Sequence, residues 1–399
     1  MSLFDYKYLS EEQMKGFDKY KYSSVDTSPL SNYIMHPFWN QVVKLVPCWI
    51  APNILTFVGF LLTVSNAVLL SYYDYYFYAS SSGSTEIPLW VWLVCAINHF
   101  LAHTLDGIDG KQARRTKSSG PTGELMDHGV DSWTALFVPF CIYSMFGRAD
   151  YSYSPFRVLF IFWAVFITFY LSHWEKYNTG ILYLPWSYDS SQLILFILYI
   201  VSFCYSNVIW KISIPYINLT CGQIFEIVTH VMAFGFSVPI TIFNVYIGYK
   251  NKTLKQPNLW ESFRPLISLA ILFCFTTFWA AYSPTNVIET DPRMFYFMVG
   301  TLFSNICCRL IVSQMSSTRC EGFNWFLLPL TLIVTGVFKM ELLQAYEIQI
   351  LRIFALCITF AHIHYGVCVM RQMCKHFKIN CFSLKPLKAN KTYKNGDLD

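Results

Sequence analysis

Charged residues are scarce in this chain, at 13% of 399 positions. Soluble domains carry roughly 25%, so a globule with an ordinary water-facing surface is excluded. Cysteine is present in 13 copies, yet no two are spaced as CxxC. Cys307 and Cys308 are adjacent, but no second pair completes a zinc site. Cys95, Cys141, Cys204 and Cys357 fall inside apolar runs and read as unpaired packing residues. No cleavable leader is visible; the first long apolar run begins near Ile50, after a polar segment, and would act as an internal targeting signal. Internal repeats are absent, and low complexity is confined to Ser80 to Ser84. The net charge of +5 is small, and no nucleic-acid partner is expected from it.

Apolar and aromatic residues fill the space that charge leaves. The chain is 54% hydrophobic and 19% aromatic, with a mean hydropathy of +0.38. Aromatic rings gather at membrane interfaces. At roughly 20 apolar residues per crossing, the long runs give about ten helices. They span Ile54 to Tyr72, Pro88 to Asp109, Gly123 to Phe146, Phe156 to His173 and Gln192 to Trp210. They continue with Gln223 to Tyr249, Phe263 to Tyr282, Met294 to Val312, Phe323 to Phe338 and Ala345 to Cys368. Ahead of them, Tyr33 to Val46 places Ile34, Met35, Phe38, Trp39, Val42, Val43 and Val46 mostly at helical spacing. This predicts an amphipathic helix lying on the membrane surface, interrupted near Pro37. The expected fold is an all-α polytopic transmembrane bundle behind an N-terminal interfacial helix. Its expected divisions are an N-terminal segment (1–49), a catalytic bundle (50–370) and a basic tail (371–399).

Loop charge predicts the orientation. The loop from Ser71 to Ile87 holds Asp74 and Glu86 and no Lys or Arg; the next holds Lys111, Arg114, Arg115 and Lys117. Lys250, Lys252 and Lys255 crowd a later loop, while Ser283 to Arg293 is mainly acidic. The tail after Met370 is rich in Lys. One arrangement fits them all: both termini and the loop after Asp106 face the cytosol. The sequon at Asn218 then falls on the lumenal side, and those at Asn251 and Asn390 on the cytosolic side.

Carboxylates are rare in the apolar runs, so their clustering is informative. Asp106 and Asp109 are three apart and share one helix face; Asp127 and Asp131 are four apart and share another. The two helices are antiparallel neighbours across a short basic loop, so all four acids can converge at one end of the bundle. Four uncompensated carboxylates at membrane depth would be very costly. Divalent cations resolve this, and all-oxygen ligands suit Mg2+ or Mn2+. Two such ions can clamp a phosphoryl group during in-line displacement. Gly107 and Gly110 leave room for a ligand or a neighbouring helix to approach the backbone. Arg114, about one turn beyond Gly110, can grip a diphosphate through its planar fork. His128 lies beside Asp127, about 100° around the helix, with a side chain suited to proton transfer near neutrality.

The pattern D-x2-D-G-x2-A-R-x8-G-x3-D-x3-D runs through Asp106, Asp109, Gly110, Ala113, Arg114, Gly123, Asp127 and Asp131. It resembles the signature of the CDP-alcohol phosphotransferases, without departure. The strings DGKQARRT and GELMDHGVDS resemble the eukaryotic choline and ethanolamine phosphotransferase branch. FDKYKYSSVDTSPLSNYIMHPFWN, LSHWEKYNTGIL, RMFYFMVGT, QMSSTRC and AHIHYGV extend the likeness along most of the chain, toward its ethanolamine-using members. One departure is that no selenocysteine, which vertebrate ethanolamine-using members carry, stands after Cys381.

The resemblance implies roles. Asp106, Asp109, Asp127 and Asp131 would ligate two metal ions. Arg114, with Gly110 and Lys111, would bind the CDP donor's phosphates, and Asn53 would contact the donor. Read without the resemblance, Asn53 is an N-cap for the first span. His128 would be the general base, oriented by Glu124 four residues earlier; Asp131 is a competing base. The implied reaction takes CDP-ethanolamine and diacylglycerol to phosphatidylethanolamine and CMP, in the endoplasmic reticulum or Golgi membrane, with CDP-choline as the other donor to weigh. A homodimer is compatible with such a bundle. A transporter using the acids as a cation site is the contrasting class, but it would call for repeated halves. His99 and His103 share a face but lack a third ligand, and His362 and His364 lie on different faces. Glu226, His230 and Arg352 are ionisable groups inside spans, and either line an acceptor cavity or reach an interface.

Overall fold

The computed structural model describes residues 3–79, 86–148, 152–184 and 186–386. The Ser80 to Ser84 stretch, the Asn390 sequon and the tail lysines from Lys388 onward lie outside them. The helices are α1 (Glu11–Asp18), α2 (His36–Leu45), α3 (Pro52–Tyr73), α4 (Leu89–Arg115), α5 (Pro121–Phe146), α6 (Pro155–Thr179), α7 (Ser187–Tyr205) and α8 (Cys221–His230). They continue as α9 (Val238–Lys250), α10 (Leu259–Phe263), α11 (Leu266–Tyr282), α12 (Val287–Thr290), α13 (Pro292–Ser316), α14 (Leu327–Lys339), α15 (Glu341–Ala345) and α16 (Glu347–Phe377). The strands among the described residues are two residues long: β1 (Ser24–Val25) pairs in parallel with β2 (Leu182–Tyr183), and β3 (Ser213–Ile214) pairs antiparallel with β4 (Leu219–Thr220).

Proline sets several helix starts. Pro52, Pro121, Pro155 and Pro292 stand in the first turns of α3, α5, α6 and α13, where a missing N–H costs nothing. Among the described residues, seven helical stretches are long and apolar enough to cross a membrane, α8 and α9 counting as one. The protein is therefore an integral membrane protein. Helix α5 adds an eighth long helix whose first half carries the acids. Helices α11 and α14 are apolar but shorter, at 17 and 13 residues.

Helix α13 is buried along nearly its whole length and packs on α5, α6, α16 and α11. Polar side chains thread its apolar surface: Ser304 bonds Ser132 at 2.6 Å and His362 at 3.1 Å, and Asn305 accepts from Asn324 at 2.9 Å. Such pairs satisfy polar groups that lipid could not. Helices α3, α4, α5 and α7 form the second half, α3 against both α4 and α5, and α4 against α7.

Several helix ends differ from expectation, each for a visible reason. Helix α4 continues to Arg115 because Gln112 is fully buried and donates to the carbonyls of Pro47 and Ile50 at 3.0 and 3.1 Å. Helix α7 starts at Ser187 because buried Asp189 is held there by Ser31 at 2.5 Å and His103 at 3.0 Å. Helix α16 runs to Phe377 because Gln372 accepts from the backbone N–H groups of Tyr8 and Leu9. No break occurs at Pro37. A π-turn over Ser31–Met35 leads directly into α2, and Pro37 sits in the first turn of that helix. The inner face of α2, Trp39 and Val43, joins Met35 against Leu55 and Ile108, while Ile34, Phe38 and Leu45 stay exposed.

Candidate active site

The short turn from Thr116 to Gly120 reverses the chain, so α4 and α5 bring their acids to the same end of the bundle. Asp106, Asp109 and Asp127 each offer an oxygen, and the three oxygens lie within 4.8 Å of one another. Asp131 stands one turn further along α5 and is not part of that triplet. Asp109 is buried and accepts from the Thr56 hydroxyl at 2.5 Å. Asp106 accepts from the Tyr188 hydroxyl at 3.2 Å. Asp127 Oδ1 is buried with no hydrogen-bond partner among the described residues. A buried anionic oxygen left bare needs a counterion. Three converging carboxylates, one with an orphaned oxygen, fit a hard divalent cation.

The two glycines do different work. A Cβ on Gly107 would lie 2.2 Å from the Trp39 ring, so this glycine admits the surface helix α2. A Cβ on Gly110 would meet only Arg114, at 3.7 Å, so that side stays open for a ligand. Arg114 is exposed at the mouth of the site. Lys111 instead donates to Asn40 of α2 at 2.9 Å.

Asn53 is not the cap of α3. The N-cap is Ala51, and Asn53 lies inside the first turn. Its amide donates to the Cys381 carbonyl at 3.0 Å, while its carbonyl oxygen faces Gly123, where an added Cβ would lie 3.6 Å away. Asn53 thus bridges the start of α3, the start of α5 and the segment after α16.

His128 sits between Glu124 and His173. Its Nε2 is 3.8 Å from Glu124 Oε1, too far for a hydrogen bond, and has no hydrogen-bond partner among the described residues. The His173 ring packs edge-on at 5.0 Å, and His173 Nδ1 pairs with Gln314 at 3.2 Å. Glu124 Oε1 also receives Lys176 Nζ and, at 2.5 Å, the Tyr20 hydroxyl.

Thr56, Tyr188, Tyr20, Lys176 and His173 are site neighbours that motif reading passes over. Thr56 lies within the Pro52-Asn53-Ile54-Leu55-Thr56 run and was within reach of it. The others come from distant segments, and no spacing in the sequence announces them. Meanwhile His99 pairs with the Gln192 carbonyl, and His362 with Ser304 and Asn305. His364 pairs with Tyr8 and the Leu3 carbonyl. Glu226 is paired with Arg157, His230 with the Glu226 carbonyl, and Arg352 with Asp291. These are structural contacts, not a lining of the aspartate cluster.

Carboxylates gathered at the junction of two antiparallel helices of a membrane bundle make a place where a divalent cation can be held. The family model described as CDP-alcohol phosphatidyltransferase matches residues 49–234, and the chain belongs to that family. It is 48% identical over 380 residues to ethanolaminephosphotransferase 1 of Mus musculus and of Homo sapiens, covering 95% of this chain and 95% of each relative. It is 26% identical over 382 residues to cholinephosphotransferase 1 of Danio rerio, covering 95% of this chain and 96% of that relative. The matched region holds α3 to α8 and therefore all four aspartates.

Proposed function

We propose that this protein transfers phosphoethanolamine from CDP-ethanolamine to diacylglycerol or an alkyl-acylglycerol, giving phosphatidylethanolamine and CMP, the last step of the CDP-ethanolamine route. The carrying observation is the aspartate cluster set in a chain 48% identical along 95% of its length to ethanolaminephosphotransferases. The lower identity to a cholinephosphotransferase favours ethanolamine over choline as head group.

Asp106, Asp109, Asp127 and Asp131 would hold two Mg2+ or Mn2+ ions. Bound there, the ions would neutralise the donor's phosphates and the charge that builds on them during displacement. Arg114 would add its fork to the diphosphate, with Gly110 leaving the approach open and Asn53 contacting the donor. Lys111 would add positive charge at the mouth. His128 takes the proton of the acceptor hydroxyl. That oxygen forms a bond to the β-phosphorus, the bond from this phosphorus to the bridging oxygen breaks, and its electron pair leaves with CMP. Glu124 stands where its charge stabilises the imidazolium. Asp131 is the other group placed to serve as base.

We place the site on the cytosolic face of the endoplasmic reticulum or Golgi membrane. The Lys255 N–H bonds the Asn178 carbonyl at the end of α6 from which Lys176 reaches Glu124, whereas Asp74, Glu289 and Asp291 gather around Tyr75, Arg148 and Arg293 at the far ends of α3 and α5. The donor would enter from water, and the lipid acceptor from the bilayer.

Purified protein in detergent, given diacylglycerol, Mn2+ and each CDP-alcohol in turn, tests the reading. CMP release with CDP-ethanolamine well above that with CDP-choline is expected. No CMP from either donor would refute it.

A further inference from the structure

Residues 3–25 form a strap that crosses the site end of the bundle before the surface helix begins. It is pinned at three places. Tyr8 and Leu9 donate backbone N–H groups to Gln372 of α16, at 2.7 and 3.1 Å. In α1, Gly16 lies so close to the end of α13 that a Cβ there would meet the Ser316 carbonyl oxygen at 2.0 Å, and Phe17 beside it is buried. Strand β1 pairs with β2, just after α6. Tyr20 lies between the second and third anchors, and its hydroxyl donates to Glu124 at 2.5 Å.

Glu124 Oε1 is therefore shared. Tyr20 and the buried Lys176 both donate to it, and His128 Nε2 stands 3.8 Å away with no hydrogen-bond partner among the described residues. On one helix, a glutamate four residues before a histidine can swing onto it. Two donors on the same oxygen oppose that swing. They hold the carboxylate near His128 while leaving Nε2 free to meet a substrate hydroxyl. Burial, with the facing carboxylate, pushes the Tyr20 phenol well above its ordinary range, so it remains a donor at any working pH. Lys176 is itself steadied by the strap, its Nζ lying 5.6 Å from the Tyr20 ring centre and 4.8 Å from that of Tyr22.

We propose that the N-terminal strap is part of the active site, and that Tyr20 and Lys176 are positioning residues that fix Glu124 for proton transfer through His128. The inference rests on the function proposed above. Steady-state CMP release should show Tyr20→Phe lowering kcat by about tenfold, with KM for CDP-ethanolamine within about twofold of wild type. Lys176→Met should lose more, and Lys176→Arg should recover part of that loss. In a Glu124→Gln background, Tyr20→Phe should cost nothing further, because the oxygen it held no longer carries the charge. Wild-type kcat in Tyr20→Phe would overturn the proposal. An equal loss in the wild-type and Glu124→Gln backgrounds would do the same. Thermal midpoints of the variants near that of wild type separate positioning from misfolding. Silence of the wild-type protein itself would count against the function; a working wild type with an indifferent Tyr20→Phe counts against the strap alone.

Discussion

Cys381 shows how single residues are tuned by their neighbours at this site. The Cys374 thiol donates to its sulfur, and Asn53 adds a second donor at 3.6 Å. Together they hold the Cys381 thiol below the ordinary range, against the opposing effect of burial. A lowered pKa means the reactive thiolate forms at lower pH. Labelling with iodoacetamide, followed by peptide mass spectrometry, should rise with pH and reach half-maximum at Cys381 below the pH of about 8.5 usual for a free thiol. Asn53→Ala should shift that midpoint upward; an ordinary midpoint unmoved by Asn53→Ala would contradict the contact. The residue scale is also where the sequence was most and least informative. The convergence of Asp106, Asp109 and Asp127 is legible because helical spacing and the cost of buried charge leave few other readings. Tyr20 and Lys176 were illegible. Each is separated from Glu124 by tens of residues, and only the packed chain brings them to one oxygen.

At the scale of elements, helix existence follows from apolar run length, but helix ends follow from partners. Gln112, Asp189 and Gln372 extend α4, α7 and α16 past their apolar runs because each finds a hydrogen-bond partner in another segment. No run length could reveal that. The docking of α2 is similar. Its spacing showed an amphipathic helix, yet only the structure shows Trp39 resting on Gly107. Gly107→Ala should lower stability by about 1–3 kcal/mol through overpacking, read as a lower thermal midpoint in detergent. The same substitution should cost little when Trp39→Ala is already present. An unchanged midpoint for Gly107→Ala alone would show that α2 does not sit against α4 as described. Because Gly107 adjoins Asp106, activity should fall along with stability.

Viewed as a whole molecule, the bundle divides its polar groups between two ends. At the end away from the aspartates, Glu347 is fully buried and accepts from Trp279, Ser283 and Thr285 at 2.5 to 3.1 Å. Arg293 there donates to the Asp74 and Tyr75 carbonyls and lies over the Phe77 ring at 3.9 Å. Even so, Arg293 Nη1 and Asp74 Oδ2 are buried with no hydrogen-bond partner among the described residues. At the aspartate end, Asp127 Oδ1 and His128 Nε2 likewise have no hydrogen-bond partner among the described residues. What sets the aspartate end apart is that its open carboxylate oxygen lies beside two further aspartates whose oxygens converge on one point, which fits a cation. The account rests on that convergence.

The most direct test is CMP release from CDP-ethanolamine and diacylglycerol by purified wild-type protein and by Asp109→Asn, with and without EDTA. The account predicts that EDTA stops the wild-type reaction and that added Mg2+ or Mn2+ restores it. It also predicts that Asp109→Asn inserts and purifies normally yet releases CMP at least about a thousandfold more slowly. Wild-type rates in Asp109→Asn, or full turnover in the presence of EDTA, would contradict it.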